Sequence, residues 1–163
     1  MAEETQANGQ DQVELILQKV YLKDASFEAP NAPAIFQQIG ETDEQPQVQL
    51  NLGHKAVKLD EANREVVLTL TLTCMLGEQT AYLAEVHQAG IFSIIGFSPE
   101  DEESVIGSYC PNVLFPFARQ VIASMIQDGG FPPFLLQPIN FDALFAEQQR
   151  RQAAGEAAPT LNS

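Results

Sequence analysis

Basic side chains are scarce in this chain: 8 Lys and Arg stand against 22 Asp and Glu, a formal net charge of −14 over 163 residues. Such a field repels nucleic acid and anionic lipid, and it attracts basic partners and basic unfolded segments. No basic patch relieves it, so nucleic-acid binding is not expected. No apolar run approaches the roughly 18 residues of a spanning helix, so direct membrane insertion is not expected either. The opening stretch, MAEETQANGQDQ, is polar and acidic and lacks the basic-then-apolar order of a secretory signal. A cytoplasmic location is the expectation. Cysteine is nearly absent: Cys74 and Cys110 are the only two. In a chain of this size they read as reduced core residues, with one internal disulfide as the other arrangement two thiols allow.

Catalytic signatures are absent as well. There is no GxxxxGK[ST] phosphate loop, no GxGxxG turn, no GxSxG elbow and no HExxH helix. No nucleotide engine, enzyme chemistry or cofactor is expected. Cys110 has no histidine placed beside it by sequence, so a buried structural thiol is the better reading than a nucleophile. Glu85 and His87, two apart in a strand, share a face. Two ligands without a third fall short of a metal site, and a solvated polar face accounts for them. The acidic run EDEE at 100–103 reads as a charged helix start.

What is present is the pattern of one α+β domain over 13–147, between polar tails at 1–12 and 148–163. Four segments read as strands: VELILQKVYLKD (13–24), QPQVQLNL (45–52), REVVLTLTLTCM (64–75) and TAYLAEVHQ (80–88). Period-two alternation is clean in the middle two, with Val48, Leu50 and Leu52 on one face and Val66, Leu68, Leu70, Leu72 and Cys74 likewise. Short polar connections make the sheet antiparallel, one face covered and the other wet. CPNVLFPFARQVIASMIQDGG (110–130) is the strongest helix, with Asn112 as N-cap, Pro116 in the first turn and Gly129–Gly130 as the stop. Val113, Leu114, Phe117, Ala118, Val121, Ile122, Met125 and Ile126 occupy most of its circumference. The sheet can cover only one side of such a helix, so a second subunit, or a third layer of the same chain, must cover the other. NFDALFAEQQRRQ (140–152) reads as a short amphipathic helix capped by Asn140 or Asp142, with Phe141, Leu144 and Phe145 on one face. Both helices are expected on one face of the sheet.

The proline-broken segments carry more apolar surface than their backbone suits. GGFPPFLLQPINFDALFAEQQ (129–149) and the 25–40 stretch, with Phe27, Ile35 and Phe36, either clamp onto the sheet edge or leave an apolar groove open for binding.

KDASFEAPNAPAIFQ (23–37), LGEQTAYLAEVHQAGIFSI (76–94), YCPNVLFPFARQVIASMI (109–126) and FPPFLLQPINFDALF (131–145) together resemble SecB, the bacterial protein-export chaperone family. The likeness runs from about residue 14 to 150. It implies a homotetramer, a dimer of dimers with helices sandwiched between sheets. It also implies a nucleotide-independent chaperone that holds unfolded preproteins and hands them to the SecA motor ATPase. The family's SecA-docking positions match Asp24, Glu28, Leu83 and Glu85, which would receive the basic, zinc-binding C-terminal tail of SecA. The positions that support assembly match Tyr82, Ala84, Val86 and Gln88, and the helix residues Leu114, Val121 and Met125 would join that interface. Ala84 stands where the family often has Cys, and His87 where it has Gln, which would make docking slightly pH-sensitive. The client groove implied is Phe27, Ile35, Phe36, Leu136, Ile139, Phe141, Leu144 and Phe145. An oligomeric scaffold whose apolar segments are only interface is the rival reading.

Overall fold

The computed structural model describes residues 12–155 and 161–162. Four long antiparallel strands dominate it: β1 (Glu14–Glu28), β2 (Gln47–Lys58), β3 (Asn63–Leu76) and β4 (Gln79–Ile95). A two-residue strand, β5 (Leu161–Asn162), adds to the free side of β2 at Gln49 and Leu50, giving the order β1-β4-β3-β2-β5. The β3–β4 hairpin turns at Gly77, whose positive φ suits a tight turn. β1 carries register shifts between Leu17 and Lys19 and between Leu22 and Asp24. These bulges are why its apolar side chains read as lying on both faces.

Alternation sorts the sheet. Val66, Leu68, Leu70, Leu72, Cys74 and Leu76 of β3 and Tyr82, Ala84 and Val86 of β4 lie buried on the helix-covered face. They meet Leu114, Ala118, Ile122 and Ile126 of α3 (Cys110–Asp128), which lies across β4 and β3. Cys74 and Cys110 are both free and buried, and burial pushes the Cys110 thiol up to about 12. The opposite face is mostly polar, although Val67 and Ala89 lie buried on it. Glu65 there accepts hydrogen bonds from Lys23 Nζ at 2.8 Å and from the Tyr21 hydroxyl, which together hold its carboxyl below the usual range.

Three elements differ from the sequence expectation. AIFQQIGE forms a helix, α1 (Ala34–Glu41), inside what read as a proline loop, and β1 extends through Phe27. The long helix does not begin at Asn112. Its path starts at the Ser98 cap, whose side chain accepts from the Asp101 N–H, and runs as α2 (Pro99–Ser104) through a π-helical turn, Val105–Tyr109, into α3. The extra residue of a π-turn shifts the bonding register ahead of Pro111. Pro116 is therefore interior to the helix, and it faces solvent. Finally, α4 (Phe141–Ala154) is capped by Asn140, which accepts from Ala143 N–H, and ends at Gly155. The expected boundary at 147/148 thus falls inside a helix, with Glu147 paired to Arg151 across it. The expected tail at 1–12 lies outside the described residues except for Gln12.

Candidate functional site

Two apolar openings and one acidic face stand out. The first opening is an aromatic nest. Strand β1 delivers Phe27, β4 delivers Tyr82, α1 delivers Phe36, and the chain after α3 delivers Phe131. Ring centroids are 5.8 Å apart for Phe27–Tyr82, 4.9 Å for Tyr82–Phe131 and 5.0 Å for Phe36–Phe131. The close of α3 makes room for this: a Cβ on Gly129 would lie 2.3 Å from the Phe27 ring. Gly130 then turns the chain at φ +89°. Phe36 remains 41% exposed, and Leu135, four residues past Phe131, is 64% exposed.

The second opening is a cleft of about 240 Å³ between β2 and α4. Leu52 and His54 project into it from β2, Leu68 and Pro111 stand behind them, and Phe141, Leu144, Phe145 and Gln148 come from α4. Phe145 lies against the π-turn at Gly107, where a Cβ would sit 2.4 Å from its ring. Any larger residue there would displace it. His54 is the cleft's titratable group, and burial of its inner side lowers its pKa. Next to the cleft, Ser108, Asn112, Ile139, Asn140 and Asp142 border a polar hollow in which the Ser108 hydroxyl donates to Asp142.

The eight groove residues expected from the resemblance therefore do not form one surface. Ile35 is fully buried and Leu136 nearly so, and both belong to the core. They anchor α1 and the 131–140 segment rather than line a groove. Phe27 and Phe36 belong to the nest, and Phe141, Leu144 and Phe145 to the cleft, with Phe141 pinned edge-on to Phe115 at 5.7 Å. Leu52 and His54 of the cleft lie outside the expected lining, whereas Phe131 and Leu135 fall in the proline-broken 129–149 segment that the sequence marks as apolar. Continuing the β2 alternation two residues beyond Leu52 would have found His54.

On the sheet's other face, antiparallel register gathers the four docking positions. Glu28 lies opposite Leu83, Ser26 opposite Glu85, and Asp24 opposite His87. Directly opposed residues project to the same side, so Glu28 and Glu85 flank a half-open Leu83, and Asp24 lies farther along the same face beside His87. Asp24 and Glu28 are exposed and Glu85 is partly so, and His87 Nε2 lies 2.9 Å from Glu85 Oε1. Among the described residues no three His, Cys, Asp or Glu side chains converge as a metal site.

The residues expected at a subunit interface are placed otherwise. Tyr82, Ala84, Val86, Gln88 and Leu114 are buried within the subunit's own core, so they have no surface to offer a partner directly. Gln88 Nε2 donates to the Tyr21 carbonyl at 3.0 Å, tying the edge strand to the core. Val121 and Met125 are half-buried, and Phe117, on the same helix, is 45% exposed.

A family model described as preprotein translocase subunit SecB matches residues 8–152. The protein-export protein SecB of Nitrosococcus oceani is 53% identical over 156 residues, covering 95% of this chain and 93% of that one. The SecB of Stenotrophomonas maltophilia is 51% identical over 145 residues, covering 89% and 82%. Among solved structures, the Mycobacterium tuberculosis Rv1957 SecB-like chaperone, in complex with a ChAD peptide from the Rv1956 HigA1 antitoxin, shares the fold. Its TM-score is 0.63 at 14% identity, covering 77% of this chain and 90% of that one. The chain belongs to the SecB family of preprotein-export chaperones.

Proposed function

We propose that this subunit holds preproteins unfolded in the aromatic nest and the β2–α4 cleft, and passes them to SecA through the acidic face. The observation that carries the reading is apolar surface kept open on a strongly acidic protein. Phe36 and Leu135 are exposed, and the cleft beside Phe145 stays unfilled. Each client side chain fully buried in such a site contributes roughly 1.5–3 kcal/mol. A single contact is weak and tolerant of sequence, and several sites on one assembly hold a long chain by avidity. The net charge of −14 keeps the apolar openings of separate molecules apart.

The assembly is a homotetramer, a dimer of dimers. Two separate apolar surfaces support it: Ile16, Leu17 and Leu22 exposed along edge strand β1, and Phe117 exposed on α3. A dimer of dimers needs two distinct interfaces of this kind. Asp24, Glu28 and Glu85 draw the basic zinc-binding tail of SecA by long-range charge, and Leu83 supplies local burial. Native mass measurement with and without a reduced, unfolded polypeptide tests holding and assembly together. The expected species are a tetramer and a tetramer carrying one client. A monomer, or a tetramer that leaves an aggregating client unprotected, as a pure scaffold would, refutes the reading.

A further inference from the structure

All four lysines of the chain, Lys19, Lys23, Lys55 and Lys58, lie on the two strands β1 and β2. Register gathers three of them at one end of the sheet face that turns away from the helices. One row across the sheet there runs Lys19, Ile91, Glu65, Val57, and the next runs Tyr21, Ala89, Val67, Lys55. Lys23 leans in from the β1 bulge and bonds Glu65. Val67 and Ala89 form a buried floor, Ile91 is half-buried, and Val57 is 48% exposed. Among the described residues, the charged contacts on this face are Lys23–Glu65 and His87–Glu85. Lys19 and Lys55 are therefore exposed cations with no carboxylate paired to them, on a protein of net charge −14. The pattern repeats the docking end with its sign inverted. Leu83 sits between carboxylates at one end, and Ile91 and Val57 have lysines at their margins at the other. Leu83 and Ile91 are eight residues apart on β4, about 26 Å. Screening at physiological salt acts over roughly 8–10 Å, so the two ends act on a partner independently.

We propose that the lysine end takes an acidic segment, carrying an apolar side chain, of the same partner whose basic tail docks at the carboxylate end. The inference rests on the docking reading and adds a second contact to it. Charge complementarity selects the occupant. A basic or neutral segment gains nothing from Lys19 and Lys55. A polyanion or an anionic lipid surface is too extended to meet the lysines without also meeting the carboxylates of the same face. A short acidic segment meets the lysines alone, and Val57 and Ile91 give its apolar side chain something to cover. A partner that presents both signs about 26 Å apart fits the face in one orientation only, because turning it round sets like charges together at both ends. The lysine end thus fixes orientation as well as adding affinity.

The test titrates the full chain with whole SecA and, separately, with the isolated basic tail of SecA as a zinc-loaded peptide. The unchanged chain is compared with the double variant Lys19→Glu, Lys55→Glu, and Lys19→Gln, Lys55→Gln serves if charge reversal disturbs folding. Whole SecA should bind the unchanged chain more tightly than its tail does. Charge reversal should weaken whole SecA by about tenfold or more and the glutamine pair by about threefold, while the tail peptide stays within about twofold. Whole SecA that binds no tighter than its tail, or that is indifferent to both variants, overturns the proposal while docking at the carboxylates stands. So does a tail peptide that loses as much affinity as whole SecA. Lysine-dependent binding to phosphatidylglycerol vesicles, with SecA unaffected, assigns the lysines to a membrane and overturns it too. A tail peptide that does not bind the unchanged chain defeats the docking reading and this inference with it.

Discussion

On β4, Tyr82, Ala84 and Val86 point into the helix layer and are almost wholly withdrawn from solvent. Leu83, Glu85 and His87, interleaved with them, stay half open on the opposite face. One strand thus carries two unrelated tasks. The inner residues pack under α3, and the outer ones present a partly exposed polar surface. The same division recurs on α4, where Phe141 is buried against Phe115 and Phe145, one turn on, is left half open beside the cleft. Period-two and period-four spacing separate buried from exposed side chains at single-residue resolution.

The sharpest way to break that division is on β4. Val86→Asp places an uncompensated carboxylate in the core and should cost about 3–5 kcal/mol, read as a collapse of the urea midpoint. Its neighbour change, Glu85→Lys, should leave the midpoint within about 0.5 kcal/mol while abolishing capture of the basic SecA tail. If Glu85→Lys unfolds the chain, the two faces are not independent. On α4, Phe141→Ala should destabilise by about 3 kcal/mol. Phe145→Ala should instead lower client affinity roughly tenfold with a much smaller loss of stability. Changing both residues together would confound the two effects. Gly107→Ala drives a methyl into the Phe145 ring and should cost about 1–3 kcal/mol, with client affinity falling alongside it.

The smallest effect is on pH. Burial lowers the pKa of His54 in the fold, so the folded state disfavours the proton that the unfolded chain accepts near pH 6.5. Stability is then complete above that value and declines as pH falls toward 5, before the carboxylates of the unfolded chain titrate near 4. The slope is shallow because the ring still reaches solvent. Thermal melts of His54→Gln should lose this part of the slope. Glu65 is also held low, by Lys23 and Tyr21 rather than by burial, so it too loses stabilisation on acidification, at more acid pH.

Much of this was legible before any coordinates. The alternation in β2 and β3 named the buried face of each correctly, and strand period puts Leu83 and Glu85 on one face; Asp24 and Glu28 reach that face through a bulged β1 longer than the strand expected over 13–24. The apolar circumference of 113–126 likewise marked α3 as the layer over the sheet. Other features were not legible for definable reasons. Two prolines around 30–33 hid α1, because proline signals a turn whether or not a helix follows it. The π-turn, Val105–Tyr109, has no side-chain signature, so Pro111 and Pro116 appeared to mark a helix start that lies instead at Ser98. Ile35 and Leu136 read as groove residues because apolarity alone does not say which side of a short element faces in. That is decided by packing partners distant in the chain.

The account turns on apolar openings that recognise a chain only when it is unfolded. One polypeptide, prepared both folded with its disulfides formed and unfolded with them reduced, tests this most directly when each form is titrated against the full chain by calorimetry. The account predicts saturable binding of the reduced form and no measurable heat with the folded form. Equal binding of the two forms, or binding of neither, would contradict it.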